Sequence, residues 1–183
     1  MYYKTIVLLS IAGRPVSTYG TQMLLRDRYA QLWHDRHGVA TVPLRYCNIY
    51  GMDVAGETLC GLPGTFVRQL TADGSITVFG DGRQTRDFVH VDDVVRATIG
   101  AATTRRVGKA YTVGSGESTS VRTVARLVRD HVDPSAEIDF DEEYDGAVRD
   151  SHADISNARA WLDFEPTRSI EGCLGDRIAG VSR

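Results

Sequence analysis

Residues 5–44 read TIVLLSIAGRPVSTYGTQMLLRDRYAQLWHDRHGVATVPL. Thr5–Leu9 is a continuous apolar run of β-branched and aliphatic residues, the pattern of a strand buried on both faces of a parallel sheet. Gly13 and Pro15 break it. Ser17 or Thr18 then supplies an N-cap, and Met23, Leu24, Leu25, Tyr29, Leu32 and Trp33 recur at helical spacing until Gly38. A second apolar run, Val39–Leu44, follows at once, and Pro43 places it at a strand end or sheet edge. Strand, helix and strand in succession predict a βαβ unit and an α/β fold.

The rest of the chain continues the alternation. Residues 52–64 are Gly-rich and read as a loop, with a short helix around Phe66, Val67 and Leu70. Ile76–Phe79 is a strand candidate closed by Gly80-Asp81-Gly82. Asp92 and Asp93 are placed to cap a helix through Val94, Val95, Ala97 and Ile99. Ala110–Val113 is a further strand. Ser120 caps a helix over 121–131 with one apolar stripe, and Asp154 caps a last helix that Pro166 stops.

The 183 residues, 42% hydrophobic and 25% charged, suit one globular unit. A net charge of −3 provides no overall basic field, so neither nucleic acid nor an anionic membrane is expected as a partner. Cys47, Cys60 and Cys173 are an odd number at wide spacing with no metal-binding pair, which predicts free thiols, no metal and a cytoplasmic setting. Ile6–Ala12 is too short to span a membrane.

Five strings occur in order: PVSTYGTQM (15–23), RYCNIYG (45–51), VFGDGRQTRDFVHVDD (78–93), YTVGSG (111–116) and ADISNARAWLDFEP (153–166). Together they resemble the C-terminal half of the extended short-chain dehydrogenase/reductases, the NAD-dependent epimerases and dehydratases that modify nucleotide-activated sugars. The resemblance implies the last βαβ portion of a Rossmann-like sheet plus a small α/β nucleotide-sugar-binding subdomain. It places 1–51 in the Rossmann-like remnant and 52–183 mainly in the substrate subdomain, some segments returning to the sheet, all within a single α/β unit.

The resemblance also implies roles. Tyr19 corresponds to the family's catalytic, cofactor-contacting Tyr, and Met23 stands where the family has the Lys that lowers its pKa. A phenol of pKa about 10 is ionised about one part in a thousand at neutral pH, so a missing cation withholds roughly 4 kcal/mol. Arg26 and Arg28 are not obvious substitutes. Ser10 is the candidate for the hydroxyl-orienting Ser. For the nucleotide-sugar, the resemblance assigns Asn48 and Arg86 to the diphosphate and Thr77 and Phe79 to the base. A guanidinium grips phosphate oxygens in pairs, and a flat ring offers a stacking surface. The plainer alternatives are a structural ion pair of Arg86 with Asp87, Asp92 or Asp93, a core Phe79 and a turn Asn48.

Two departures shape the functional expectation. The family's phosphate-and-ribose Arg-x-Gly-Asp/Glu stretch falls on Tyr144, Gly146 and Ala147, leaving Arg149 as a displaced substitute. The Gly80 and Gly114 strings lack the third glycine of a dinucleotide cradle, so NAD or NADP, implied by the family, is not expected to bind this chain alone. The expectation is a truncated or degenerate member that keeps a nucleotide-sugar surface (UDP-, dTDP- or GDP-linked) with little or no catalysis alone. The alternatives are half of an active NAD(P)-dependent sugar epimerase or dehydratase, and a non-catalytic protein that pairs into a homodimer through the 18–37 helix.

Overall fold

A computed structural model describes residues 15, 17–53, 55–56, 58–143 and 148–174. The 5–9 run, Ser10 and the 144–147 segment lie outside them.

Helix α1 spans Thr18–His37: Ser17 Oγ accepts the Gly20 amide at its start, and Gly38, at φ 65°, ends it. Strand β1 is Leu44–Tyr46. The 39–44 run therefore contributes only its last residue to the ladder, because the pairing that defines β1 is parallel to β7 (Tyr111–Val113), with Leu44 opposite Tyr111. After Cys47 the chain resumes as β2 (Asn48–Met52), flanked by antiparallel β3 (Leu59–Cys60) and parallel β6 (Phe88–His90).

The expected loop over 52–64 is shorter than its composition suggests. Helix α2 already begins at Gly61 and runs to Asp73. Gly61 has φ +78°, and a Cβ there would collide with the Ile49 carbonyl, so glycine allows the helix to start against β2. Strand β4 (Ser75–Phe79) pairs in parallel with β9 (Glu137–Asp141), a strand whose acidic–apolar alternation was not assigned from sequence. A short β5 (Thr85–Arg86) pairs with β8 (Thr119–Ser120).

Helix α3 (Val91–Thr103) is capped by His90, whose Nδ1 accepts the Asp92 amide, and not by the acidic pair. Asp92 and Asp93 sit in its first turn, where the helix dipole favours them. Helix α4 (Val121–Val132) has the expected Ser120 cap, and α5 (Ser156–Leu162) starts after Asp154, whose carboxylate accepts the Ser156 amide.

Two apolar clusters organise the packing. Tyr50, Phe66, Ile76, Val78, Val124 and Val128 join α2, α4, β2 and β4; Val89, Ala97, Tyr111, Val113, Ala158 and Phe164 join α3, α5, β6 and β7. Among the described residues no helix is long and apolar enough to cross a membrane.

Candidate nucleotide-sugar site

Between α2, β4 and the β1–β2 junction lies a cavity of about 410 Å³, the size of a small-molecule site. Asn48, Thr77, Phe79 and Arg86 all line it. Four residues up to 38 positions apart are thus brought to one wall system by β2, β4 and β5. On β4 the strand period sends Ile76 and Val78 into the core and turns Thr77 and Phe79 the other way. Phe79 keeps 38% of its surface exposed, so it is not a core residue. Asn48 lies within β2, its amide donating to the Asp87 carbonyl at 2.9 Å, so it is not a turn residue.

Arg86 donates to the Thr85 carbonyl at 2.6 Å, and among the described residues no carboxylate stands at ion-pair distance from it. The acids expected to compete for it are engaged elsewhere. Asp93 pairs with Arg96 and receives Thr167, Asp92 pairs with Arg168, and Asp87 accepts backbone amides. Burial lowers the Arg86 pKa, opposed by Asp150 and Glu143, yet a guanidinium stays charged at neutral pH. Arg149, the displaced substitute, is spent on Asp81 at 2.9 and 3.1 Å.

The sequence reading missed several lining residues: Cys60, Arg68, Gln84 and Glu143. Arg68 adds a second guanidinium, which donates to the Thr65 hydroxyl at 3.1 Å. Gly61 and Leu62 bring to the cavity the amino end of α2, which has neither a side-chain cap nor an acidic first turn. The dipole of an uncapped helix start and two guanidiniums favour an anion here. The β-strand-to-helix step after Cys60 was the available signal, hidden by the Gly-rich composition. Cys47 also lines the cavity; burial, reinforced by Asp87, pushes its thiol pKa up, so it is a neutral wall group.

Tyr19 sits half-buried in the first turn of α1, and no α1 residue lines this cavity. Met23, half-buried one turn on, presents a thioether that can donate no hydrogen bond to a ribose. Arg26 reaches Asp27 and the Leu44 carbonyl, and Arg28 is exposed. Neither glycine string fits a cofactor pyrophosphate. The Ser115 and Gly116 amides donate to the Asp87 carboxylate at 2.6 and 3.0 Å, so an anion of the protein's own already fills that turn. In the other, Asp81 accepts the Arg83 amide and Gly82 the Arg122 amide. Both glycine turns are thus occupied by groups of the chain itself. The described residues also contain no grouping of side chains suited to a metal ion, and Cys47, Cys60 and Cys173 form no disulfide among them.

The described residues form an α/β scaffold with a cavity lined by two guanidiniums and an aromatic ring. The comparisons with known proteins place it: residues 5–114 match the model of the NAD dependent epimerase/dehydratase family, and the chain belongs to that family. It is 29% identical over 92% of its length to YtcB of Bacillus subtilis, described as an uncharacterized UDP-glucose epimerase, covering 52% of that relative. It is 31% identical over 83% of its length to a putative UDP-glucose 4-epimerase of Methanocaldococcus jannaschii, covering 49% of it. Among solved structures, a UDP-glucose 4-epimerase from Thermotoga maritima with UDP-glucose superposes with a TM-score of 0.81 at 28% identity, over 90% of this chain and 53% of that one. A UDP-glucuronic acid 4-epimerase from Bacillus cereus in complex with UDP-glucuronic acid and NAD gives 0.77 at 30%, over 91% and 54%. The chain spans about half the length of the curated relatives it matches. The likeness extends to a partial Rossmann-like fold, as expected.

Proposed function

We propose that this chain is a nucleotide-sugar-binding half of an epimerase/dehydratase, with little or no catalysis of its own. The observation that carries the reading is the convergence of Asn48, Thr77, Phe79 and Arg86 on one cavity, with Arg86 free of any carboxylate partner among the described residues. In this reading Arg86, Arg68 and the amino end of α2 receive the diphosphate, Asn48 bonds near it, and the base lies along Thr77 and Phe79. Met23 stands where the family has the Lys that lowers the Tyr pKa, which supports the reading of little catalysis, and the Gly114–Gly116 turn, filled by Asp87, supports the reading that NAD or NADP is held elsewhere. Cysteines without a disulfide among the described residues agree with a cytoplasmic setting.

Isothermal titration with UDP-glucose tests the reading. Binding in the micromolar range that weakens about 10- to 100-fold in Arg86→Ala is expected, the effect of one charge-assisted contact. No heat from a folded sample sinks it.

A second, compatible reading has its own observation. Leu25, Tyr29, Leu32 and Trp33 of α1 are 49–64% exposed, where the apolar pattern was expected to pack partly on the sheet. Such a face fits a homodimer contact, which the molar mass in solution decides.

A further inference from the structure

Helix α1 is 20 residues long, yet its only buried residues are Gly20 and Asp27. Neither apolar cluster takes a side chain from it; Met23, Leu24 and Ala30 are half-buried, and Leu25, Tyr29, Leu32 and Trp33 are exposed. Between α1 and α3 a cavity of about 680 Å³ opens over β1, lined by Arg26, Ala30, Leu44, Thr98 and Ala101, so apolar packing does not close the two helices on each other there. An isolated helix of this length is marginal in water, and most helices in proteins gain their stability from an apolar face buried on a neighbour. Among the described residues α1 has little of that support.

What ties α1 to the sheet is polar. Arg45 of β1 donates through Nε to Asp27 Oδ2 at 2.6 Å, while Arg26 reaches Asp27 Oδ1 at 3.4 Å and the Leu44 carbonyl at 3.3 Å. The Thr41 hydroxyl donates to the Ala30 carbonyl at 2.9 Å. Asp27 is 7% exposed and Arg45 29%. An ion pair buried this far contributes little net stability, because the attraction between the charges is offset by the water each gives up. Removing one partner is different, since the other charge is then left buried without compensation. When α1 lifts off whole, both charges regain water. The pair therefore fixes where α1 sits without holding it there tightly.

We propose that α1 is a latched element: it lifts from the sheet as a unit while both apolar cores stay folded, and the Asp27–Arg45 pair sets its docked position. Arg45 is the positioning residue of this device. Tyr19 rides in the first turn of the same helix, and the exposed apolar residues ride further along it, so the latch fixes the place of both. The inference is independent of the nucleotide-sugar reading, since no α1 residue lines that cavity.

The test is native-state hydrogen exchange, read by mass spectrometry on peptides from the middle of α1 and from α4, at a concentration where light scattering gives the monomer mass. Helix α4 buries Val121, Val124, Ala125 and Val128 and so reports opening of the core. In the intact chain α1 is expected to exchange at least about 10-fold faster than α4, the mark of a separate opening. Arg45→Met strands the buried carboxylate and speeds exchange in α1 by about a further 10- to 100-fold, with α4 unchanged. Asp27→Leu combined with Arg45→Met replaces the pair by apolar groups and returns α1 to within about threefold of the intact chain, or slower. This double variant separates the latch from a simple loss of contact. The proposal is overturned if α1 and α4 exchange together in the intact chain, if Arg45→Met speeds both alike, or if the double variant opens α1 as fast as Arg45→Met does.

Discussion

Replacing Asp87 with Ala should cost this protein a large part of its stability. The carboxylate is fully buried and accepts four hydrogen bonds: from the Ser115 amide at 2.6 Å, the Ser115 hydroxyl at 2.8 Å, the Gly116 amide at 3.0 Å and the Ala153 amide at 3.3 Å. It thereby ties the turn after β7 to the segment leading into α5. Alanine leaves three backbone N–H groups without their acceptor, each costing about 1–3 kcal/mol if water cannot reach it. Ser115 and Gly116 are only partly buried, so water recovers some of this, and a total of about 3–5 kcal/mol is expected. With a urea slope of about 1–3 kcal/mol per molar, the unfolding midpoint falls by roughly 1–3 M at unchanged slope. Asp87→Asn keeps one acceptor oxygen and should lose less. A midpoint shift equivalent to under about 1 kcal/mol for Asp87→Ala refutes the reasoning, because it means the amides are satisfied without the carboxylate.

Two further outcomes are expected. With a neutral alkylating reagent near pH 8, the native chain should label at Cys60 and Cys173 but not at Cys47, whose buried thiol is held protonated, and UDP should slow labelling of Cys60 because it lines the cavity; mass mapping checks both, and native labelling of Cys47 contradicts its burial. If the exposed face of α1 pairs two copies, Leu32→Asp should reduce the light-scattering mass from dimer to monomer without lowering the melting temperature, since Leu32 is 49% exposed within the single chain. A monomer before substitution removes the dimer reading.

The sequence by itself determined what depends on neighbours within a turn or two. Ser17 and Gly38 bound α1, Ser120 starts α4, and Ile76–Phe79 with its following Gly-Asp-Gly marks β4 and its turn, because caps and turns are built from local backbone and side-chain bonds. The five strings also carried the family and the cavity residues Asn48, Phe79 and Arg86, with Thr77 just ahead of the third string.

Tertiary structure decided what depends on partners far along the chain. Strand β1 starts at Leu44 and not at Val39 because its ladder is set by residues 111–113, and β9 forms from an acidic, unremarkable segment because β4 offers it a parallel edge. The acidic pair after His90 is displaced from the cap because Asp93 is fixed by Arg96 and Thr167, the latter 74 positions away. Which side chains face a cavity, and which polar atoms are left there without a partner, follows from burial by distant segments, which local sequence pattern does not encode.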